Sequence, residues 1–477
     1  MNNLRIGLLE SLLLVVLAVV LGLAMNTGHS TLLIGLVAGC TLLVATFLST
    51  PLSLYVLVFS MLLSPELMIG ALGGGGATAG RGVTLRFDDF LLLIIGFAWL
   101  VKMAVHKDSP PLKHTPLNGP IMFYVAASLL ATLIGVLQGR VKPTTGFFFT
   151  LKYFEYFFLY FMVVNAIRSQ EEAKKLIVAS LVTCFLVSLY AIAQIPSGER
   201  ASAPFEGETG EPNTLGGYLV FMLAIVTGLL ITPGATPRKL PLMILMGAGT
   251  LALLATLSRS SFLAAGVVTV FVVLFLNYRR PLLFMLILVG LLGSPLWAPH
   301  AVKQRLMHTF TQAPEPGQIR LGSLRVDTST SDRLRSWRES FDWWKKSPVW
   351  GHGVTGGPFM DAIYPRVLTE TGLLGLAAFV TLLWMLFRVG LITYQQSQDP
   401  FTKGLALGFL FGFVGLLVHA IGANTFIIVR IMEPFWLYVA MVVRGFLMIP
   451  AFQSSDIEAR ALPAIDRGES KRASSPA

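Results

Sequence analysis

Charge is what this chain has least of. Asp, Glu, Lys and Arg make up only 13 % of its 477 residues, against 54 % hydrophobic residues. A mean hydropathy of +0.71 excludes an ordinary soluble domain. Cysteine is nearly absent. The two present, Cys40 and Cys184, lie in apolar runs, where they read as small core residues, and no disulfide is inferred. The seven histidines are scattered without metal-ligand spacing, so no metal site is expected. No internal repeat at a period of roughly 20–50 residues is visible, which argues against a solenoid. The run "GGGGATA" (Gly73–Ala79) approximates a dinucleotide fingerprint. However, no soluble strand–helix unit surrounds it, and it lacks the Lys-Ser/Thr of a P-loop. It reads as a flexible outer loop. Basic and aromatic residues do not combine as in a nucleic-acid module, so nucleic acid is not an expected partner. No cofactor is called for.

Long apolar runs are abundant instead. Candidate spans are 5–25, 31–49, 51–69, 88–105, 118–138, 146–166, 175–195, 214–232, 241–257, 260–276, 281–297, 370–393, 402–421 and 430–449. Each approaches the ~20 residues a helix needs to cross a bilayer. Lipid offers the backbone no hydrogen-bond partners, so such runs must be helical. The expected fold is an all-α polytopic membrane protein. It has about fourteen transmembrane helices by length, or about twelve if two are re-entrant. The start of the chain carries one positive charge, Glu10 and no clear cleavage site, and reads as a first transmembrane helix rather than a cleaved signal.

The formal net charge of +11 fits the basic bias of cytoplasmic loops. If the spans alternate, one side collects Lys107 with Lys113, Arg168 with Lys174 and Lys175, Arg238 with Lys239, and Arg279 with Arg280. Lys403 and the basic tail join them. That side is then cytoplasmic, with both termini inside. Four regions follow: about eleven spans in 1–297, with a short outer loop at 196–213; a long outer loop at 298–369; three spans in 370–449; and a cytoplasmic tail at 450–477. The tail is polar from Ser454 and reads as disordered. Unusually for an outer loop, 298–369 holds ten Lys or Arg against six Asp or Glu.

The densest charge within that loop is "SDRLRSWRESFDWWKKSPVWGHG" (Ser331–Gly353). Wound as a helix over 331–346, it places Leu334, Trp337, Phe341 and Trp344 on one face. Arg333 flanks that face on one side, Arg338 and Lys345 on the other. Ser331 or Asp332 is the expected cap, and Pro348 and Gly351 the expected stop. Trp on one face with cations at its edges suits a membrane interface, where guanidinium forks can grip phosphate oxygens. A solvated helix with Arg335/Glu339 and Arg338/Asp342 pairs is the plainer alternative.

Together with "DAIYPRVLTETGLLGL" (Asp361–Leu376), this stretch resembles the signature region of the O-antigen ligase and polymerase family. The pattern is an Arg, a Trp four residues on, a Pro-x-x-Gly-x-Gly turn, then Leu-x-Glu-x-Gly-x-x-Gly. "EPNTLGGYL" (Glu211–Leu219), "LSRSSFLA" (Leu257–Ala264) and "LKYFEYFFLY" (Leu151–Tyr160) also resemble family segments, and the likeness covers most of 145–445. Where family ligases carry a His-Asn pair ahead of the last Glu, this chain has Asp361 and Ala362, followed by Tyr364 and Arg366. That is similar to the exopolysaccharide-type polymerases. The resemblance implies a metal-independent, inverting glycosyltransferase that polymerises undecaprenyl-diphosphate-linked repeat units on the periplasmic face of the bacterial inner membrane. Its implied partners are the lipid-linked glycan donor, the glycan acceptor and the bilayer, with a chain-length regulator and a flippase as candidates from the same pathway. The neighbouring alternative is a ligase moving finished glycan onto a lipid or protein. From another class comes a transporter or flippase of lipid-linked sugar. Transporters place charge near the midplane, often with repeats, whereas the distinctive charge here is at the outer surface.

Such a transfer needs fixed cations at the departing diphosphate, a base for the acceptor hydroxyl, and an apolar groove. Arg259, in a short turn at the outer end of span 241–257, is the leading cation; snorkelling is its structural alternative. Arg333 follows, then Arg338. Arg366 is a candidate for binding diphosphate or sugar, or a partner for Glu370. Asp361 is the candidate base, with helix capping as its alternative, and His352 in "WGHGVTGG" is the second choice. Glu370 is expected at the start of a helix, where the macrodipole favours an acid. Lys152 and Glu155 are read as a buried pair or a donor-headgroup contact. Asn213 is read as a helix cap or a sugar ligand, and Arg430 and Glu433 as a pair.

Overall fold

A computed structural model describes residues 50–64, 66–69, 83–105, 112–204, 210–277 and 300–450, apart from 314, 317 and 322–323, and the single residues 282, 285 and 289. The expected spans 5–25 and 31–49, most of 281–297, the loop Gly73–Ala79, Cys40, Lys107 and the tail from Ser454 lie outside the described residues.

Helix α1 (Thr50–Leu63) stops short of the expected 51–69 span. Pro65 follows, and the residue before a proline is pushed out of the helical region. The chain turns instead into β1 (Glu66–Ile69), which pairs antiparallel with β2 (Val83–Arg86). Then come α2 (Phe87–Val105), α3 (Asn118–Leu137), α4 (Pro143–Ala166), α5 (Gln170–Ala193), α6 (Pro212–Ile231), α7 (Lys239–Ala255) and α8 (Arg259–Asn277). The charged 298–369 region contains α9 (His300–Thr311), a hairpin of β3 (Arg320–Leu321) and β4 (Leu324–Arg325), and α10 (Thr328–Trp344). The chain closes with α11 (Ile363–Gln396), α12 (Pro400–His419) and α13 (Val429–Leu447). Among the described residues, six helices are long and apolar enough to cross a membrane, and α1, α7 and α8 contribute shorter apolar helices. The protein is an all-α multi-pass membrane protein.

Local sequence sets the helix ends. Ser169 accepts from the Glu172 N–H at 3.2 Å, while Glu172 accepts from the Arg168 N–H at 2.9 Å, a variant of the capping box. Asp399 caps α12 through the Thr402 N–H at 2.8 Å, with Pro400 as the first helical residue. Helices α6 and α12 form the centre. They touch where Gly228 meets Gly408; a Cβ at Gly228 would overlap the Gly408 backbone. Without hydrophobic driving force between helices in lipid, such close van der Waals approach carries the association. Around it, Phe221, Phe409, Phe413, Phe435 and Tyr438 pack ring to ring at centroid spacings of 5.5–6.4 Å. Cys184 is buried and free, as a small core residue.

The α6, α8 and α12 ends that carry Pro212, Arg259 and His419 lie together at one end of the bundle. The C-termini of α4 and α13 lie at the other, where Arg444 meets Arg168.

Candidate functional site

Helix α7 ends in a tight turn in which Leu257 takes a left-handed φ of 48°. The turn delivers Arg259 as the first residue of α8. Arg259 Nη2 donates to Asp327 Oδ2 at 2.6 Å, with both side chains largely buried. Asp327 also accepts from the Thr330 N–H at 3.3 Å and so caps α10. Helix α10 therefore starts at Thr328, and the cap is Asp327, not Ser331 or Asp332. Ser331 is buried and accepts from the Ile319 N–H at 2.8 Å, tying α10 to the hairpin. Burial alone would raise the Asp327 carboxyl, but the hydrogen bonds from Arg259 and Thr330, with the Arg259 charge, hold it below the usual carboxylate value. One carboxylate thus fixes the turn arginine and the origin of the cationic helix.

That origin places Arg333, half-buried, beside the α12–α13 connection. A Cβ at Gly422 would stand 3.0 Å from Ser260 Oγ and 3.6 Å from the Arg333 guanidinium carbon. Two residues on, Asn424 Nδ2 donates to the Met360 carbonyl at 2.7 Å, and the Ile363 N–H donates to Ala423 O at 3.3 Å. Asp361 lies between those two anchors, exposed. The 420–424 connection therefore gathers Arg259 (through Ser260), Arg333 and Asp361 into one neighbourhood.

Asn213 belongs to the same end of the bundle but does not cap α6; Glu211 holds the cap position. Its Oδ1 instead accepts from Ser258 Oγ at 2.7 Å and from Arg200 Nη2 at 3.4 Å. Arg200 also donates to Thr256 O at 3.1 Å, so the 196–213 loop is stitched to the Arg259 turn. Beneath lies His419, fully buried, sharing a 2.8 Å hydrogen bond between Nδ1 and Thr425 Oγ1. Sequence reasoning missed Asp327, Arg200, Ser260 and His419. Ser260 lay in a motif segment, Arg200 and Asp327 in the outer loops 196–213 and 298–369, and His419 within an apolar span, but none was singled out as a residue.

The remaining candidates are placed elsewhere. Arg338 is exposed on α10. The expected Arg335/Glu339 and Arg338/Asp342 pairs give way to Arg335–Asp332 at 3.2 Å and Lys345–Asp342 at 3.3 Å, both three residues apart and exposed. Leu334 and Phe341 are 37 % and 47 % exposed, so the expected apolar face is not packed away, while Trp337 approaches Tyr364 at 6.5 Å between ring centroids.

Arg366 and Glu370 do pair, at 3.1 Å, with the guanidinium over the Tyr153 ring at 5.6 Å. Glu370 is not at a helix start. It sits in the short segment of α11 that ends in a kink at Gly372, where φ is 64° and ψ is −161°. An acid near a helix C-terminus is unfavourable, and Arg366 one turn earlier offsets it. Gly351 and Gly372 face each other backbone to backbone, both with positive φ; a Cβ on either would overlap the other's strand of chain. The Gly353 N–H donates to Glu370 O at 2.8 Å and the His352 N–H to Thr369 O at 3.0 Å. The motif glycines therefore wrap the kink. His352 is clamped at both ring nitrogens, by Arg140 at 3.1 Å and the Trp343 carbonyl at 2.9 Å. Burial and the Arg140 and Lys346 charges hold it below the ordinary imidazole value, against the Trp343 carbonyl, which favours the proton.

Lys152 pairs with Asp89 at 2.5 Å as well as with Glu155 at 3.4 Å. Arg86 pairs with Asp88 and, at 3.5 Å, with Glu433. The expected Arg430–Glu433 pair is replaced: Arg430 donates to the carbonyls of Leu62, Pro204 and Ser64 at 3.0–3.2 Å.

Residues 241–394, about a third of the chain, match the family model described as O-antigen ligase. The matched segment runs from α7 through the Arg259 turn, α9, α10 and the kink into α11. No curated protein matches the chain.

Proposed function

We propose that this protein, whose residues 241–394 match the family model described as O-antigen ligase, is a glycosyltransferase that polymerises undecaprenyl-diphosphate-linked repeat units. The observation that carries the reading is the double use of Asp327, which ties Arg259 to the helix bearing Arg333. Two guanidiniums from distant parts of the chain are thereby held at one end of the bundle, partly open to the surface. In the reaction the bond from the anomeric carbon to the diphosphate breaks while a bond to the acceptor hydroxyl forms. Negative charge develops on the departing diphosphate, and preorganised cations lower that barrier most. Arg259 and Arg333 supply them without a metal. Asp361, exposed beside the same connection, takes the acceptor proton. Arg338 and Asn213 contact substrate at the rim. Arg366, Glu370, His352 and Lys152, each engaged with protein groups, hold the framework.

Helix α10 lies at the membrane interface in this reading, its exposed Leu334 and Phe341 in the headgroup–acyl boundary and its cations at phosphate level. The site then faces the periplasm, and the basic loops at the other end face the cytoplasm of the inner membrane.

Deletion of the gene should abolish long surface polysaccharide and leave single repeats capped onto the final acceptor. Rescue should fail with Arg259→Ala and with Arg333→Ala, each inserted at normal level. Long chains stranded on the carrier would instead indicate the ligase reading, to which the matched family description lends weight. Unchanged polysaccharide with altered solute uptake would indicate a transporter.

A further inference from the structure

At the end of the bundle remote from Arg259, we propose a binding site for one anionic phospholipid: a phosphodiester headgroup held by Lys113, Arg168 and Arg444, with an acyl chain in the crevice beside them. The three cations gather around the C-terminus of α4. Lys113 Nζ donates to Val164 O at 3.0 Å, and its backbone N–H donates to Asn165 Oδ1 at 2.9 Å. Arg444 Nη2 donates to Arg168 O at 3.2 Å. Among the described residues, no carboxylate lies within ion-pair distance of any of the three. Of the two acids that open α5, Glu171 pairs with Lys174 at 3.9 Å, and Glu172 accepts from the Arg168 N–H in the cap while its charge also reaches Arg444 without an ion-pair contact. Asp399 is taken up by Gln170 and Thr402.

The carbonyl end of α4 attracts cations, but only to the extent of about half a charge. Three full charges exceed it. The crowding shows at Lys113: burial, then the charges of Arg444 and Arg168, push its ammonium down to about 8. A cluster that works against its own charge is completed by an anion. Arg444 Nε is buried with no hydrogen-bond partner among the described residues. It points to a missing acceptor, since an unsatisfied charged donor is costly.

The crevice distinguishes a lipid from a free anion. It opens beside Arg444 between α5, α12 and α13; besides the polar Ser169, Gln170 and Thr402, its lining includes the apolar Ile177, Phe401, Leu405, Met441 and Met448. An inorganic phosphate has no use for these groups, whereas an acyl chain descending from the headgroup would cover them. The proposal does not depend on which reaction the opposite end performs.

The test is native mass spectrometry of the full chain in detergent, with phosphatidylglycerol or phosphatidylcholine of identical chains. Wild type should retain one phosphatidylglycerol in preference to phosphatidylcholine. Lys113→Gln and Arg444→Gln should each weaken that retention about fivefold and leave phosphatidylcholine unaffected. Arg168→Gln, at an exposed side chain, carries the same test should Arg444→Gln fail to fold. Leu405→Trp, which fills the crevice, should weaken retention with all cations intact. Equal retention of the two lipids by wild type overturns the proposal. So does release of bound phosphatidylglycerol by inorganic phosphate, which would mark a free-anion site.

Discussion

Two charged clusters occupy the end of the bundle that carries Arg259, built from the same residue types and differing in what surrounds them. In the first, Arg86 lies between Asp88 and Glu433, and Lys152 between Asp89 and Glu155. Arg86 also donates to Met61 O at 2.9 Å, and Arg430 spans three backbone carbonyls nearby. Side-chain exposure falls to 5 % at Arg86 and 0 % at Asp88 and Glu433. These contacts join α1, β2, α2, α4 and α13. In the second cluster Arg259 shares one aspartate with a helix N-terminus, Arg333 is half-buried, and Asp361 and Arg338 are exposed. A substrate reaching the first cluster would have to displace several protein partners below the surface. At the second it meets groups already positioned at the boundary. The paired groups themselves are similarly buried, with side-chain exposures of 14 % at Arg259 and 18 % at Lys152; the clusters differ in that Arg338 and Asp361 stand exposed beside the second, which in the proposed reading is where substrate is met.

The sharpest way to break this contrast is to remove one cation from each side. Arg86→Ala leaves buried carboxylates uncompensated, and losing one partner of a buried pair costs about 3–5 kcal/mol. The expected outcome is loss of protein from the membrane, measured by immunoblot of the fraction. Arg259→Ala should leave that level normal while polymer formation falls about 10²–10³-fold, the typical effect of deleting a preorganised charge stabiliser. If both variants lost only protein, the second cluster would be structural as well.

Asp361→Asn sharpens the contrast next. As an exposed side chain without a partner among the described residues, it holds little structure in place. Turnover should fall by about 10²-fold, with insertion and thermal stability unchanged. Unchanged turnover would remove Asp361 from the chemistry and turn attention to His419.

Much of this fold was legible from the sequence. The spans that became α3 to α8 and α11 to α13 were visible as apolar runs, because lipid leaves helix as the only local solution. The break at Leu63 was signalled by Pro65, but the apolar run continued past it and hid the hairpin. The cap at Asp327 was missed because helical periodicity begins only at Leu334, whereas Asp327 is chosen by a partner 68 residues earlier in the chain. The same holds for Arg86 with Glu433 and for the Gly422 contact with Arg333. Such pairings are set by helix packing and leave no periodic trace. The motif glycines were visible as a turn and a helix stop, but not their service, which is to let the chain pass close to the α11 kink.

At those glycines a smaller effect is expected than at either cation or at Asp361. Gly351→Ala adds a Cβ where the Glu370 and Gly372 backbones lie, at a φ of 70° that disfavours any side chain. A cost of about 1–3 kcal/mol is expected, seen as a lower melting temperature in detergent. Gly119→Ala, at an unobstructed helical glycine, is the control and should be neutral or slightly stabilising.

The smallest expected effect concerns His352, whose clamp holds the same turn against the α3–α4 connection. A carbonyl only accepts, so Nε2 must carry the proton given to Trp343 O; a guanidinium only donates, so Nδ1 accepts from Arg140. The clamp is therefore built for neutral imidazole, and the folded value lies below the unfolded one. As pH falls, the unfolded chain binds this proton first. The contribution to stability is complete above the ordinary imidazole value of about 6.5 and declines below it. Thermal unfolding at about pH 5.5 should come about 1–2 °C lower than at about pH 7.5. His352→Gln, which can accept and donate but not titrate, should flatten that difference. If wild type and variant show the same pH dependence, His352 is not the titrating clamp, and the turn is held by its glycines and backbone alone.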